Sequence, residues 1–355
     1  MPSKTTPLDG LTRPGDLVES LDGKNLLCTA CGHLCQLKPG QRGVCKVRFN
    51  SDGTLMVPFR YSAGLQNDPI EKKPFFHVLP GSLALSFGML GCDFRCAYCQ
   101  NWLTSQSLKD EASTLRTVPA TAGEICDRAQ RHGSKMVVST YNEPLITSEW
   151  AVEVFQEAKA RGLGTAYVSN GHGTPQVLDY LHPWIDAIKI DLKSFSEKEY
   201  HRLGGNLSAV LETIQSVQAR GIWLELVTLL IPGYNDSDSE ISAMAEFIAS
   251  VAPSIPWHVT AFHPNYKMKD RERTPAATLL RAVRHGKKAG LQFVYSGNLP
   301  GQVDNNENTY CPNCQYLLVE RRGFQILSFA LQGEACPSCN STLPGRWTDL
   351  RLIKK

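Results

Sequence analysis

Gly88-Met89-Leu90-Gly91-Cys92-Asp93-Phe94-Arg95-Cys96-Ala97-Tyr98-Cys99-Gln100-Asn101-Trp102 is the stretch on which the reading of the fold turns. It follows residues 83–87, a short apolar run of strand character. Its cysteines are spaced C-x3-C-x2-C, with an aromatic residue just before the last. Three thiolates on one tight loop can hold three corners of a [4Fe–4S] cube, whose ligands are normally cysteine thiolates. A structural cluster would want a fourth ligand. An iron left without one keeps a coordination position for a substrate or cofactor, the logic that separates open catalytic zinc sites from closed structural ones. Gly88 and Gly91 let the backbone pass close to such a group. A zinc site, a chance gathering of thiols and an electron-transfer cluster with a remote fourth cysteine are the competing readings.

Outward from this loop, β-rich runs alternate with helical stretches. Strands are expected at 83–87, 135–140, 164–169, 187–191, 223–230, 257–262 and 291–295, each apolar enough for burial on both faces. Helices are expected at 121–131, at 148–161 with Ser148 as a cap, at 206–220 and at 237–250. Strand–helix alternation of this kind predicts an α/β protein built as a partial or full (β/α) barrel. Periodicity alone also fits an open doubly wound sheet. The barrel is favoured because the unusual polar residues fall just after strand ends, where barrel active sites sit. Residues 58–82, with four prolines, read as an irregular connector. The expected units are 1–76, a cysteine-bearing segment with its connector; 77–300, the barrel; and 301–355, a second cysteine module.

The 355 residues are 42% hydrophobic and 20% charged, ordinary for a globular protein. No apolar run approaches the ~20 residues of a membrane span, and the N-terminal stretch carries no apolar signal segment, so a cytoplasmic protein is expected. A net charge of +3 gives no case for a nucleic-acid or membrane partner. Of the 12 cysteines, all but Cys126 fall into three groups, which in a reducing cytosol read as metal or redox sites rather than disulfides.

The last group, Cys311-Pro312-Asn313-Cys314 with Cys336-Pro337-Ser338-Cys339, is a pair of C-P-x-C knuckles. Such a pair suits a closed tetrahedral zinc that stabilises a segment too small for its own core, with rubredoxin-like iron as the alternative. The first group, Cys28, Cys31, Cys35 and Cys45, suits either zinc or a second closed [4Fe–4S] cluster, with His33 as a possible substitute ligand.

The cysteine loop resembles the signature of the radical S-adenosylmethionine (radical SAM) superfamily. That resemblance implies a cluster on Cys92, Cys96 and Cys99 whose open iron chelates S-adenosylmethionine. It also implies reductive cleavage to a 5′-deoxyadenosyl radical that abstracts hydrogen from a substrate. Thr140-Tyr141-Asn142-Glu143-Pro144 resembles the segment that binds the cofactor's methionine ammonium, with Tyr141 and Asn142 in place of glycines. Ser169-Asn170-Gly171 and Asp191-Leu192-Lys193 resemble segments of the pyruvate formate-lyase activating enzymes near the ribose and the cofactor carboxylate. Ile231-Pro232-Gly233-Tyr234-Asn235-Asp236 is similar to their adenine-side segment, and His263 is a candidate proton donor or substrate contact.

The layout along nearly the whole chain resembles the radical SAM protein of the AmmeMemoRadiSam system. Its marks include Lys38-Pro39-Gly40-Gln41-Arg42-Gly43 and Asp68-Pro69-Ile70-Glu71-Lys72-Lys73-Pro74. This resemblance implies Memo-type and Ammecr-type proteins as partners and a flavodoxin or ferredoxin as reductant. The substrate is left open between a protein glycyl or side-chain site and a small organic molecule. A non-enzymatic iron–sulfur carrier or metal-dependent adaptor is the rival function.

Overall fold

The computed structural model describes residues 7–113 and 116–348. Residues 1–6, read for a signal segment, and residues 349–355 of the expected C-terminal module lie outside the described residues. One eight-stranded sheet organises the chain: β1 (Gly64–Pro69), β2 (Leu83–Gly88), β3 (Met136–Ser139), β4 (Gly164–Ser169), β5 (Ala187–Asp191), β6 (Trp223–Leu230), β7 (Trp257–Ala261) and β8 (Val294–Gly297). The strands lie in simple succession. β1 pairs antiparallel with β2, and every later pair is parallel. β8 and β1 do not pair, so the sheet is an α/β partial barrel rather than a closed one.

The crossovers are helices α1 (Ala122–Arg131), α2 (Ser148–Ala160), α3 (Pro175–Leu181), α4 (Glu197–Leu203), α5 (Leu207–Ala219), α6 (Asp238–Val251) and α7 (Ala276–Lys288). Thr121, Ser196, Asn206 and Ser237 cap α1, α4, α5 and α6 by accepting the N3 amide proton, and Thr121 completes a capping box with Glu124. Ser148 is not a cap. It is the first residue inside α2, and its hydroxyl donates back to the Leu145 carbonyl at 2.9 Å.

Two further expectations are corrected. The 58–82 connector contains β1, whose Gly-Leu-Gln-Asn-Asp-Pro sequence has poor strand propensity and is held by edge pairing to β2. The last strand starts three residues late, because the Leu291 amide still bonds Gly286 O at the end of α7.

The main apolar core lies between sheet and helices, and Leu17, Leu26, Leu55 and Val57 of the N-terminal segment join it. Inside the barrel, Ile70, Phe75 and Val78 pack on Ala84, Met136 and Ala187 near the strand starts and stopper that end. The C-terminal module is an antiparallel sheet of β9 (Thr309–Tyr310), β10 (Leu317–Arg322) and β11 (Gln325–Phe329). Its small core of Leu318, Val319, Leu331, Leu343 and Trp347 packs on Phe76, Phe293 and Tyr295. The four ligand sulfurs of Cys311, Cys314, Cys336 and Cys339 all lie within 4.8 Å of one another, a zinc-ribbon-like arrangement. Among the described residues no helix is long and apolar enough to cross a membrane.

Candidate functional site

The carboxyl ends of β2 to β5 converge on a cavity of about 100 Å³. Cys92, Cys96 and Cys99 line it, together with Tyr141, Asn142 and Glu143 after β3, Ser169 and Asn170 after β4, and Asp191 and Lys193 after β5. The structure thus brings together residues that the sequence reading placed on four separate strand ends.

The cysteine loop takes its path from close approaches. A Cβ on Gly88 would lie 2.6 Å from Thr140 O and 2.9 Å from the Tyr141 Cβ, so only glycine lets β2 run past the next strand end. Asn142 Oδ1 accepts from the Met89 amide at 3.0 Å. Lys109 Nζ donates to Cys92 O at 2.6 Å and Phe94 O at 3.1 Å, tying the loop back on itself. Burial pushes all three thiols up, Cys96 to about 12. They stay protonated alone and become thiolates when a cation coordinates them. Three thiols on one rim, with carboxylates and a lysine opposite, form a donor set that fits a cluster with one open iron and an amino-acid-bearing cofactor.

Glu143 ties the strand ends together. It accepts from Ser169 Oγ at 2.7 Å, from the Asn170 amide at 2.7 Å and from the Leu145 amide at 3.1 Å. None of these partners is charged. Burial, reinforced by the Asp93 carboxylate, pushes Glu143 up to about 8 despite the three donors. Asp191 has the opposite environment. Burial alone would raise it, but Lys189 and Lys193 hold it down to about 2. Lys193 Nζ stands 3.0 Å from Asp191 Oδ2, and Lys189 bonds the other oxygen.

Ile231 and His263 are not among the cavity-lining residues. Ile231 is packed in the main core, its amide donating to Asn235 Oδ1 at 2.8 Å. His263 is exposed just beyond β7. Sequence reasoning missed Asp93, His172, Lys109 and Lys189. Asp93 Oδ1 accepts from Asn170 Nδ2 at 2.7 Å, and Asp93 Oδ2 lies 3.0 Å from His172 Nδ1. Asp93 sits inside the C-x3-C spacing, and a buried acid there was the available signal. His172 and Lys189 carry no local mark.

Comparison with known proteins agrees with this geometry. Residues 88–248 match the Radical SAM superfamily. The chain is 35% identical over 329 residues to an uncharacterised protein of Methanocaldococcus jannaschii, covering 92% of this chain and 97% of that one. It is 22% identical over 198 residues to a pyruvate formate-lyase-activating enzyme of Streptococcus mutans, covering 52% of this chain and 73% of the enzyme. A radical SAM methyltransferase from Sphaerobacter thermophilus superposes with a TM-score of 0.48 at 16% identity, over 67% of this chain and 71% of that one. This chain belongs to the radical SAM superfamily, with pyruvate formate-lyase-activating enzymes among its relatives.

Proposed function

We propose that the protein is a radical SAM enzyme that cleaves S-adenosylmethionine reductively and abstracts hydrogen from a substrate held at the mouth of the barrel. The observation that supports this reading is the convergence of Cys92, Cys96 and Cys99 with Glu143, Asn170 and Lys193 on one cavity. Bound there, a [4Fe–4S] cluster and S-adenosylmethionine would supply one electron and a 5′-deoxyadenosyl radical.

The chain's own residues hold and orient the cofactor. Glu143, buried without a charged partner, offers its carboxylate to the methionine ammonium. Lys193 faces the cofactor carboxylate, and Asp191 fixes the Lys193 ammonium in place. Ser169 and Asn170, bonded to Glu143, present polar groups beside the ribose. Tyr141 has a positive φ of 74°, and its OH receives Lys73 Nζ at 3.4 Å. It covers Gly88 and shields that side from water.

A reductant such as flavodoxin or ferredoxin supplies the electron. The motif layout supports placing the protein in the AmmeMemoRadiSam group, with Memo-type and Ammecr-type proteins as functional partners. Cys311, Cys314, Cys336 and Cys339 hold a structural zinc in this reading. The test is anaerobic: reconstitute iron and sulfide, add dithionite and S-adenosylmethionine, and assay 5′-deoxyadenosine. Production by the wild type and none by Cys99→Ala supports the enzyme. A loaded cluster that never cleaves the cofactor, even with the partners present, leaves the electron-carrier reading. Deuterium transfer from a candidate substrate into 5′-deoxyadenosine then separates protein from small-molecule targets.

A further inference from the structure

The N-terminal cysteines are built against the catalytic loop. Gly91, at φ +94°, comes so close that a Cβ there would lie 2.7 Å from Val47 Cγ1 and 3.0 Å from Cys45 O. The Asp93 carboxylate lies between the two sulfur sets. Its Oδ1 is 3.7 Å from Cys92 Sγ, and a carboxylate oxygen falls within 4.8 Å of Cys31 Sγ and a His172 ring nitrogen. The segment is also anchored rigidly. The buried Arg48 guanidinium pairs with both Glu149 oxygens, at 2.7 and 2.8 Å, and donates from Nε to Cys28 Sγ at 3.1 Å.

Cys31, Asp93 and His172 do not make an ion cage by themselves. His172 uses Nδ1 on Asp93 and Nε2 on Asn206 Nδ2, at 3.0 and 3.2 Å. Asp93 Oδ1 is taken by Asn170. Asp93 and His172 are a hydrogen-bonded brace, which leaves the Cys31 sulfur to its own segment.

We infer that Cys28, Cys31, Cys35 and Cys45 hold a second, closed [4Fe–4S] cluster through which single electrons enter the catalytic site; the electron-entry role rests on the enzymatic reading above. The sulfur spacing separates iron–sulfur from zinc. Zinc–sulfur bonds of about 2.3 Å in a tetrahedron put the sulfurs about 3.8 Å apart. The ribbon matches this, with Cys311–Cys339 and Cys314–Cys336 at 3.6 Å. Among the described residues no other set of four cysteines converges within 4.8 Å. The N-terminal four are therefore more widely set than the ribbon's, as are Cys92, Cys96 and Cys99. A cube with an iron at each corner spreads its thiolates more widely than one tetrahedral ion does. The Arg48 bond to Cys28 offsets thiolate charge, as hydrogen bonds to cluster sulfurs do.

The electron balance is simple. A reduced one-electron carrier, a flavin or iron–sulfur protein, loses one electron for each S-adenosylmethionine cleaved. That carrier is acidic by the charge of the seam between the two segments, where Lys46, Arg95 and Lys109 outnumber the buried Asp93 around an open depression.

Metal and sulfide analysis with electron paramagnetic resonance on the reconstituted full chain tests the inference without relying on turnover. The expected wild type carries about eight irons and about one zinc, and its two reduced-cluster signals differ in that only one shifts with S-adenosylmethionine. Cys35→Ser with Cys45→Ser should remove about four irons and the insensitive signal. Cys96→Ala with Cys99→Ala should remove the sensitive one. About four irons and two zincs per wild-type chain overturns the inference, whether or not the variants fold. Eight irons with neither signal responding to the cofactor would support the second cluster and sink the enzymatic reading instead.

Discussion

At the strand starts, Glu225 accepts from the amides of Phe76 and His77 at 3.0 and 2.9 Å, from the Trp223 indole at 3.1 Å and from His258 Nε2 at 2.7 Å. At the strand ends, Glu143 accepts from two amides and a hydroxyl and faces a cavity. Both carboxylates are buried. Burial opposes ionisation at each, yet His258 and the other donors hold Glu225 below its ordinary value, whereas Glu143 is pushed up to about 8. At one end of the barrel Glu225 is fully supplied with donors, although Glu71 there keeps a buried carboxylate oxygen without a hydrogen-bond partner among the described residues. The other end keeps a carboxylate whose counter-charge must come from outside, which is what a cofactor ammonium provides. The strand-start end is sealed by the ribbon, whose buried Arg321 donates to Thr309 Oγ1 at 2.7 Å and to Phe76 O at 2.8 Å.

The comparison predicts opposite consequences for equivalent changes. Cys99→Ala, at the open end, should abolish 5′-deoxyadenosine formation while leaving the unfolding midpoint of the metal-free protein in place. A variant that still cleaves the cofactor would break the assignment of the open end. Glu225→Ala strips the closed end of its acceptor and leaves His258, the Trp223 indole and two amides without their partner. It should destabilise the protein by about 3–5 kcal/mol in urea unfolding. Cofactor affinity, measured on the folded fraction, should be unchanged. Glu143→Gln should do the reverse, weakening S-adenosylmethionine binding by about 2 kcal/mol, roughly thirtyfold, with a small change in stability. Equal losses of stability in the two glutamate variants would erase the distinction between the ends.

Much of this was legible in the sequence, for identifiable reasons. Six strands sit where their β-branched runs predicted, because parallel strands buried on both faces are continuously apolar. β1 was hidden because its residues are turn formers held by an edge partner. At the site, Glu143, Asn170 and Lys193 were readable because strand-end motifs are local. Asp93 and His172 were not, because their pairing joins distant parts of the chain, and Lys189 was not, because a lysine two residues before Asp191 in a strand carries no mark of its own. The closed end was illegible for the same reason. Glu225 lies near the start of β6, in an apolar run, and all its partners but Trp223 are distant along the chain.

The smallest expected effect lies in the closed end's pH response. His77 lies between Pro344 O, 2.8 Å from Nδ1, and the Tyr295 hydroxyl, 2.6 Å from Nε2. Tyr295 OH is itself 2.8 Å from Thr309 Oγ1, which receives the Arg321 bond. Nδ1 can only donate to the carbonyl, so the neutral ring accepts from Tyr295 at Nε2. A second proton would force that bond to reverse and the Tyr295 hydroxyl to turn towards Thr309 Oγ1. Burial lowers His77 to about 4, and His258 is lowered in the same direction by its burial. Between about 6.5 and 4 the unfolded chain therefore binds protons that the native state refuses, and stability must fall as pH falls. Each fully neutral histidine contributes a slope of at most about 1.4 kcal/mol per pH unit. His77→Gln should remove the His77 share of that slope in urea titrations at pH 7, 6 and 5. An unchanged slope would mean that His77 takes up its proton in the native state.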